Sequence, residues 1–294
     1  MRHSKRSAVV TLLCVVIASL LCAAEEHLVT IATWNVENLG SKTVTESRAE
    51  VLRAFDIAAL QEVESEDGLK HLQSSLIAAS GAAWEYVISP SVGEGNAAEH
   101  YAFIYRADRV EYVIDSAGVY PEAATDEFSR EPFYATFRAG DFDFTLVTVH
   151  VTWGSLASLR TAECRRLSSV WTYVQDLDPY ENDLILLGDF NRDRPTHSAF
   201  DELTALGVTP ILTTAGTRTT FGRTATGGSW YDNMWVDLLF SGQDYTGSSG
   251  AGAPEHDTSG SRCSAGIEEA SDHCPVWAQF YIERGDDDPV QQPH

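Results

Sequence analysis

The sequence predicts an α/β domain in which two β-sheets pack face to face with helices outside. Three observations predict it. Short apolar, strand-like runs recur from Leu28 to Ile282, helical patterns fall between some of them, and 44% of the 294 residues are apolar. That is enough side-chain volume to fill a core between layers, and no internal repeat or interior linker interrupts the pattern.

The chain opens with Arg2, Lys5 and Arg6, then an apolar run from Ala8 to about Leu21, then Ala23 and Ala24. This is the layout of a cleaved secretory signal, residues 1–24, and the run is short for a membrane span. An uncleaved anchor is the alternative. A lipoprotein cysteine at Cys22 fits poorly, because Leu20 and Leu21 before it are bulky. The expectation is a secreted or periplasmic protein with no stable membrane association, acting as a monomer. Losing 1–24 removes three basic residues and no acid, so the formal charge moves from −23 to −26. Such a balance opposes non-specific binding to nucleic acid, although a bound cation and a few arginines can reverse the potential locally. Cys164, Cys263 and Cys274 remain. They allow a Cys263–Cys274 disulfide or, alternatively, small buried thiols, and no Cys/His spacing suits zinc.

In chain order, strands are expected at Leu28–Trp34, Ile57–Leu60, Tyr101–Tyr105, Val110–Ile114, Phe133–Phe137, Phe142–His150, Leu184–Leu187, Met234–Phe240 and Val276–Ile282. Each is a run of β-branched, aromatic or aliphatic residues. Helices are expected at Ser47–Phe55 and Ser155–Val174, the latter with Leu156, Leu159, Leu167, Val170, Trp171 and Val174 on one face. Residues 245–262 read as a flexible surface loop. The main domain is expected to run from 25 to 284, with a disordered tail at 285–294.

Chemistry enters at the strand ends. Asn35 follows an apolar run, Glu62 another and His150 a third. ILLGDFN ends in Asp189 and Asn191, WYDN supplies Asp232, and SDH supplies Asp272 and His273. Each has a bland reading: Asn35 and Asn191 as turn caps, Glu62 as a solvated end, His150 as a core histidine. Asp237 rivals Asp232 but falls inside its apolar run. Together the six ends describe a site at one edge of the sheets. Oxygen donors such as Glu62, Asn35 and Asp272 suit Mg²⁺, Mn²⁺ or Ca²⁺. Two histidines beside carboxylates suit attack on phosphorus and protonation of a leaving oxygen.

The ordered set WNVEN, QEV, H, GDFN, YDN, SDH resembles the endonuclease/exonuclease/phosphatase superfamily. EHYAFIYR (99–106), FSREPF (128–133) and HVTW are most similar to its deoxyribonuclease I family. The resemblance implies a four-layered α/β sandwich, two packed mixed β-sheets flanked by helices, and metal-dependent hydrolysis of phosphodiesters. It implies that Asn35 and Glu62 hold the metal, that Glu99 pairs with His150, and that Asp232 pairs with His273. Asp189 and Asn191 would position the phosphate or the attacking water, and Arg130 would contact the substrate backbone. Where that family carries an aromatic residue before its Glu-x-Tyr stretch, this chain has Asn96-Ala97-Ala98. The expected activity is cleavage of DNA with little sequence preference, with His273 taken as base and His150 as acid, although the sequence leaves the reverse assignment open. The alternatives are a phosphatase or phospholipase acting on an inositol phosphate or sphingomyelin, and a non-catalytic binding protein on the same fold.

Overall fold

The computed structural model describes residues 27–95, 98–122, 127–213, 218–221, 228–254 and 265–285. The signal segment, Asn96, Ala97, Cys263 and the chain beyond 285 lie outside them. The first sheet has the order β12-β13-β1-β2-β4-β3. Its strands are β1 (Leu28–Leu39), β2 (Ile57–Val63), β3 (Trp84–Ile88), β4 (His100–Arg106), β12 (Tyr245–Ala251) and β13 (Val276–Tyr281). The second has the order β10-β11-β9-β8-β7-β5, with β6 also on β7. Its members are β5 (Glu111–Tyr112), β6 (Gly118–Val119), β7 (Phe133–Ala139), β8 (Phe142–His150), β9 (Leu184–Asp189), β10 (Val208–Pro210) and β11 (Asp232–Asp237). Both sheets are mixed. β1 runs parallel to β2 and β8 parallel to β9, and the other pairings are antiparallel.

Alternation along the strands sorts side chains into layers. Ile31, Phe103, Phe133, Phe137, Leu146, Leu187, Met234 and Phe280 fill the space between the sheets. Outside the first sheet, Trp34, Leu60, Ala102 and Trp277 meet α1 (Glu46–Leu52) and α2 (Glu66–Ser80). Outside the second, Val147, Val149, Leu186 and Trp235 meet α3 (Ala157–Leu177). The result is the four-layered sandwich. Truncating Phe137, which contacts four aromatic rings between the sheets, should cost about 3–5 kcal/mol.

Several expectations need correction. Helix α2 was not expected, although Leu69, Leu72 and Leu76 have helical spacing. Ser65 caps it by accepting from Gly68 N at 3.2 Å, and Gly81 ends it at φ 72°. Leu156 and Leu159 do not join the buried face of α3. Leu156 precedes the helix, and the two are 61% and 53% exposed, while Glu163 and Cys164 take buried places. β11 stops at Asp237 because Leu238–Phe240 turn out to solvent. Residues 245–251 form edge strand β12, held by the β13 ladder despite their weak strand propensity. The 110–114 strand shrinks to Glu111–Tyr112, and α1 ends at Leu52 rather than Phe55. β3, β6 and β10 were also missed; they are short or partly exposed and depend on their neighbours for pairing. Cys164 is a free buried thiol, and Cys274 is disulfide-bonded.

Candidate active site

The two parallel strand pairs end at the same edge. Asn35 and Glu62 come from β1 and β2, His150 and Asp189 from β8 and β9. On the first sheet the ladder slips between Asn35 and Leu39 and between Leu60 and Val63. Glu37, Asn38 and Glu62 adopt φ of 49°, 53° and 60° there. Such bulges re-aim side chains, and left-handed non-glycine residues persist only where their surroundings over-determine them. Asn35 Nδ2 donates to Glu62 Oε1 at 2.8 Å and, across the sheets, to Asp189 Oδ2 at 3.2 Å. Its Oδ1 accepts from Glu37 N at 3.0 Å, so the turn-capping role is real as well.

On the second sheet, Gly188 (φ 146°) lets β9 approach β8. A Cβ there would lie 2.1 Å from the Val149 carbonyl oxygen. This sets His150 opposite Asp189 in register. The Asp189 carboxylate is held by Asn35 and by the Asn191 N–H, 2.8 Å from Oδ1, while Asn191 (φ 45°) donates through Nδ2 to Val151 O at 2.8 Å. His150 Nδ1 donates to Glu99 Oε1 at 2.9 Å, which leaves Nε2 3.6 Å from Asp189 Oδ2. Arg130 Nε sits 3.0 Å from Glu99 Oε2.

His273 mirrors this arrangement from the other side. Its Nδ1 donates to Asp232 Oδ2 at 2.9 Å and its Nε2 lies 3.7 Å from the same Asp189 oxygen. Ser271 fixes the turn that presents it, donating to Asn35 O at 2.7 Å and accepting from His273 N at 3.0 Å. Trp34 Nε1 donates to His273 O at 2.8 Å.

The electrostatics follow from burial. Desolvation pulls the His150 imidazole down, but Glu99 and Asp189 outweigh it, and the net shift is upward. Desolvation likewise opposes charge on His273, yet Asp232 and Asp189 hold it up at about 10. Burial pushes Asp232 up to about 6 against the pull of His273. Glu62, Glu99, Asp189 and Asp232 face one guanidinium and two imidazoles. Even with both rings protonated, carboxylates outnumber cations, so the cluster fits a divalent ion. The half-exposed Glu62 beside Asn35 offers it hard oxygen donors. Asp189, Asp232 and His273 also bring ligand atoms within 4.8 Å of one another. There, however, His273 Nδ1 is already engaged by Asp232, which reads as ring orientation.

Nine of the ten expected site residues therefore converge, and the tenth, Asp272, lies at the rim: its side chain is 63% exposed with Oδ1 3.9 Å from His273 Nε2, and its N–H donates to Glu37 Oε2 at 3.0 Å. Asp237, the rival of Asp232, ends β11 at the opposite end from the site. Three contributors were not read from the sequence. Thr219 Oγ1 donates to Asp232 Oδ2 at 2.6 Å and accepts from Asp232 N at 2.9 Å. Tyr101 Oη accepts from His150 N at 2.9 Å. Glu163, buried on α3, accepts from Thr152 N at 2.9 Å and Ser129 N at 3.2 Å, which ties the Arg130 segment to the end of β8. Tyr101 and Glu163 had signals: a tyrosine in Glu-x-Tyr, and a carboxylate on an otherwise apolar helix face.

Comparison with known proteins agrees with this geometry. No protein-family model matches the chain. The sequence is 33% identical over 241 residues to a deoxyribonuclease of Thioalkalivibrio sp. (strain K90mix), covering 80% of this chain and 64% of that protein. It is 32% identical over 173 residues to deoxyribonuclease-1 of Gallus gallus, covering 55% of this chain and 58% of the relative. The chain thus spans 58–64% of the length of these curated relatives. An endonuclease/exonuclease/phosphatase structure from Bacteroides vulgatus superposes with a TM-score of 0.62 at 16% identity, over 87% of this chain and 99% of that one. The chain thus shares its fold with endonuclease/exonuclease/phosphatase structures, and its sequence is similar to deoxyribonucleases.

Proposed function

We propose that the protein is an exported, metal-dependent endonuclease that hydrolyses DNA phosphodiester bonds with little sequence preference. The observation that carries this reading is the pair of carboxylate-bound imidazoles whose Nε2 atoms lie 3.6 and 3.7 Å from one Asp189 oxygen. A phosphodiester needs a proton removed from water on one side and delivered to the leaving oxygen on the other. In this reading His273, oriented by Asp232, takes the proton from water. His150, oriented by Glu99, gives one to the leaving oxygen. Asp189 and Asn191 position the attacking water or the phosphate, and Arg130 holds a phosphate on the substrate backbone. Glu62 and Asn35 would hold Mg²⁺, Mn²⁺ or Ca²⁺, which when bound neutralises charge on the phosphate oxygens; Asp272 is a rim candidate for the same ion. Export rests on the basic-then-apolar layout of residues 1–24, and among the described residues no helix is long and apolar enough to cross a membrane.

The test is one panel: plasmid DNA, RNA, sphingomyelin and inositol phosphates, each with Mg²⁺, Mn²⁺, Ca²⁺ or EDTA. Metal-dependent nicking of plasmid is the expected result. Faster hydrolysis of a lipid or inositol phosphate than of DNA would overturn the substrate assignment, and full activity in EDTA would remove the metal. Cell fractionation with N-terminal sequencing tests export.

A further inference from the structure

Beside the site stands a pair of aromatic rings that the chemistry above does not use. Trp153 follows His150 by three residues and is 68% exposed. Its ring centroid lies 6.3 Å from that of Tyr231, the residue before Asp232, at an interplanar angle of 56°. The Arg160 guanidinium lies over the Trp153 ring, 5.8 Å from its centroid, and also donates to Gly154 O. A tryptophan so exposed contributes little to the core.

The pair is tied to the reacting centre through the backbone. β9 lies between β8 and β11. From one side, Val151 N donates to Asp189 O at 2.9 Å and Val151 O accepts from Asn191 Nδ2. From the other, Phe190 N donates to Tyr231 O at 2.8 Å, and Tyr231 N donates to Thr219 Oγ1 at 3.0 Å. Trp153 and Tyr231 therefore meet across the end of the strand that carries Asp189 and Asn191.

We propose that Trp153, supported by Tyr231 and Arg160, is a stacking platform for an unpaired nucleobase next to the scissile phosphate, so that single-stranded DNA is favoured over duplex. This deepens the nuclease reading and rests on it. A π face beside a phosphate site selects a flat ring attached to that phosphate. Inositol offers no such face, and within a duplex the faces of a base are covered by its neighbours. Arg160 brings a cation to the platform of a strongly acidic protein, where it serves both stacking and the adjoining phosphate.

The experiment measures binding of fluorescein-labelled oligothymidylate, and of a duplex of the same length, in Mg²⁺. It uses His273→Ala protein, so that hydrolysis does not intervene. Adding Trp153→Ala should weaken single-strand binding about ten-fold and duplex binding less than about two-fold. Trp153→Leu, which keeps the bulk but not the π face, should match alanine, and Trp153→Phe should retain most of the affinity. Unchanged single-strand affinity, equal loss on duplex, or full affinity with leucine would overturn the platform. With His273 intact, Trp153→Ala should hydrolyse an abasic phosphodiester oligomer of tetrahydrofuran units, which carries no π face, at the parent rate. A parent protein that cleaves neither this diester nor DNA, but still loses single-strand affinity without Trp153, would sink the nuclease reading and leave the platform standing.

Discussion

The two halves of the site use the same device with different counter-charges. His150 leans on Glu99, whose other oxygen is 3.0 Å from Arg130. His273 leans on Asp232, whose second support is the neutral hydroxyl of Thr219. Arg130 thus opposes the upward pull on the His150 imidazole, whereas among the described residues Asp232 and Asp189 act on His273 without a cation to oppose them and hold it up at about 10. A carboxylate shared with a guanidinium raises an imidazole less than one shared with a hydroxyl. Two histidines placed alike around one aspartate are therefore made chemically unequal by their second neighbours.

The largest expected effect breaks each half outright. His150→Ala and His273→Ala should each lower plasmid turnover by about 10²–10⁴-fold while keeping an unchanged melting transition. If the two act in one transition state, the double variant should lose less than the product of the single losses. Near-normal turnover in either folded variant would remove that histidine from the chemistry.

The second effect sharpens the comparison. Asp232→Asn and Glu99→Gln should each cost roughly 10–100-fold, as expected for groups that orient another residue. Their pH profiles should differ. A base must be neutral, so an imidazole held up by Asp232 and Asp189 places the acidic limb of the rate profile above the ordinary histidine value. Removing the Asp232 charge should move that limb to lower pH. Glu99→Gln should leave the limb in place, and the reverse pattern would exchange acid and base.

A third prediction concerns stability without metal. The His273 pKa is raised on folding, so its contribution is complete below the unfolded value of about 6.5. It is lost as pH rises towards about 10. Melting curves in EDTA should fall across that window, and His273→Ala should flatten the fall. A midpoint that rises with pH there would contradict the ionised pair.

Three smaller effects follow. Glu62→Gln should weaken activity in a way that excess Mg²⁺ partly restores, whereas the histidine variants should not respond to added metal. Arg130→Gln should raise KM roughly ten-fold through loss of a charge-assisted contact. The affinity for DNA of a protein with so few cations should also fall only shallowly with salt, and a steep slope would reveal a basic surface not accounted for.

The sequence by itself determined the layers and most of the site. Apolar runs of strand length, and polar residues at their ends, are local patterns legible without coordinates. Asn35, Glu62, His150, Asp189, Asn191, Asp232 and His273 all stood out in that way. Glu99 and Arg130 needed the resemblance, since neither ends an apolar run. What only the tertiary structure decided was who neighbours whom. β12 is a strand because β13 offers it a ladder, and its own residues carry little preference for pairing. Leu156 and Leu159 fit a helical stripe, but the second sheet is covered by the later turns of α3. Asp272 sits beside a catalytic candidate in sequence, yet its side chain stays 63% exposed at the rim, 3.9 Å from His273 Nε2, while that of His273 is buried against Asp232. Thr219 and Glu163 lie 13 residues or more along the chain from the groups they hold, or on another element. Contacts across that separation, and the unequal charge they give the two histidines, exist only once the sheets have packed.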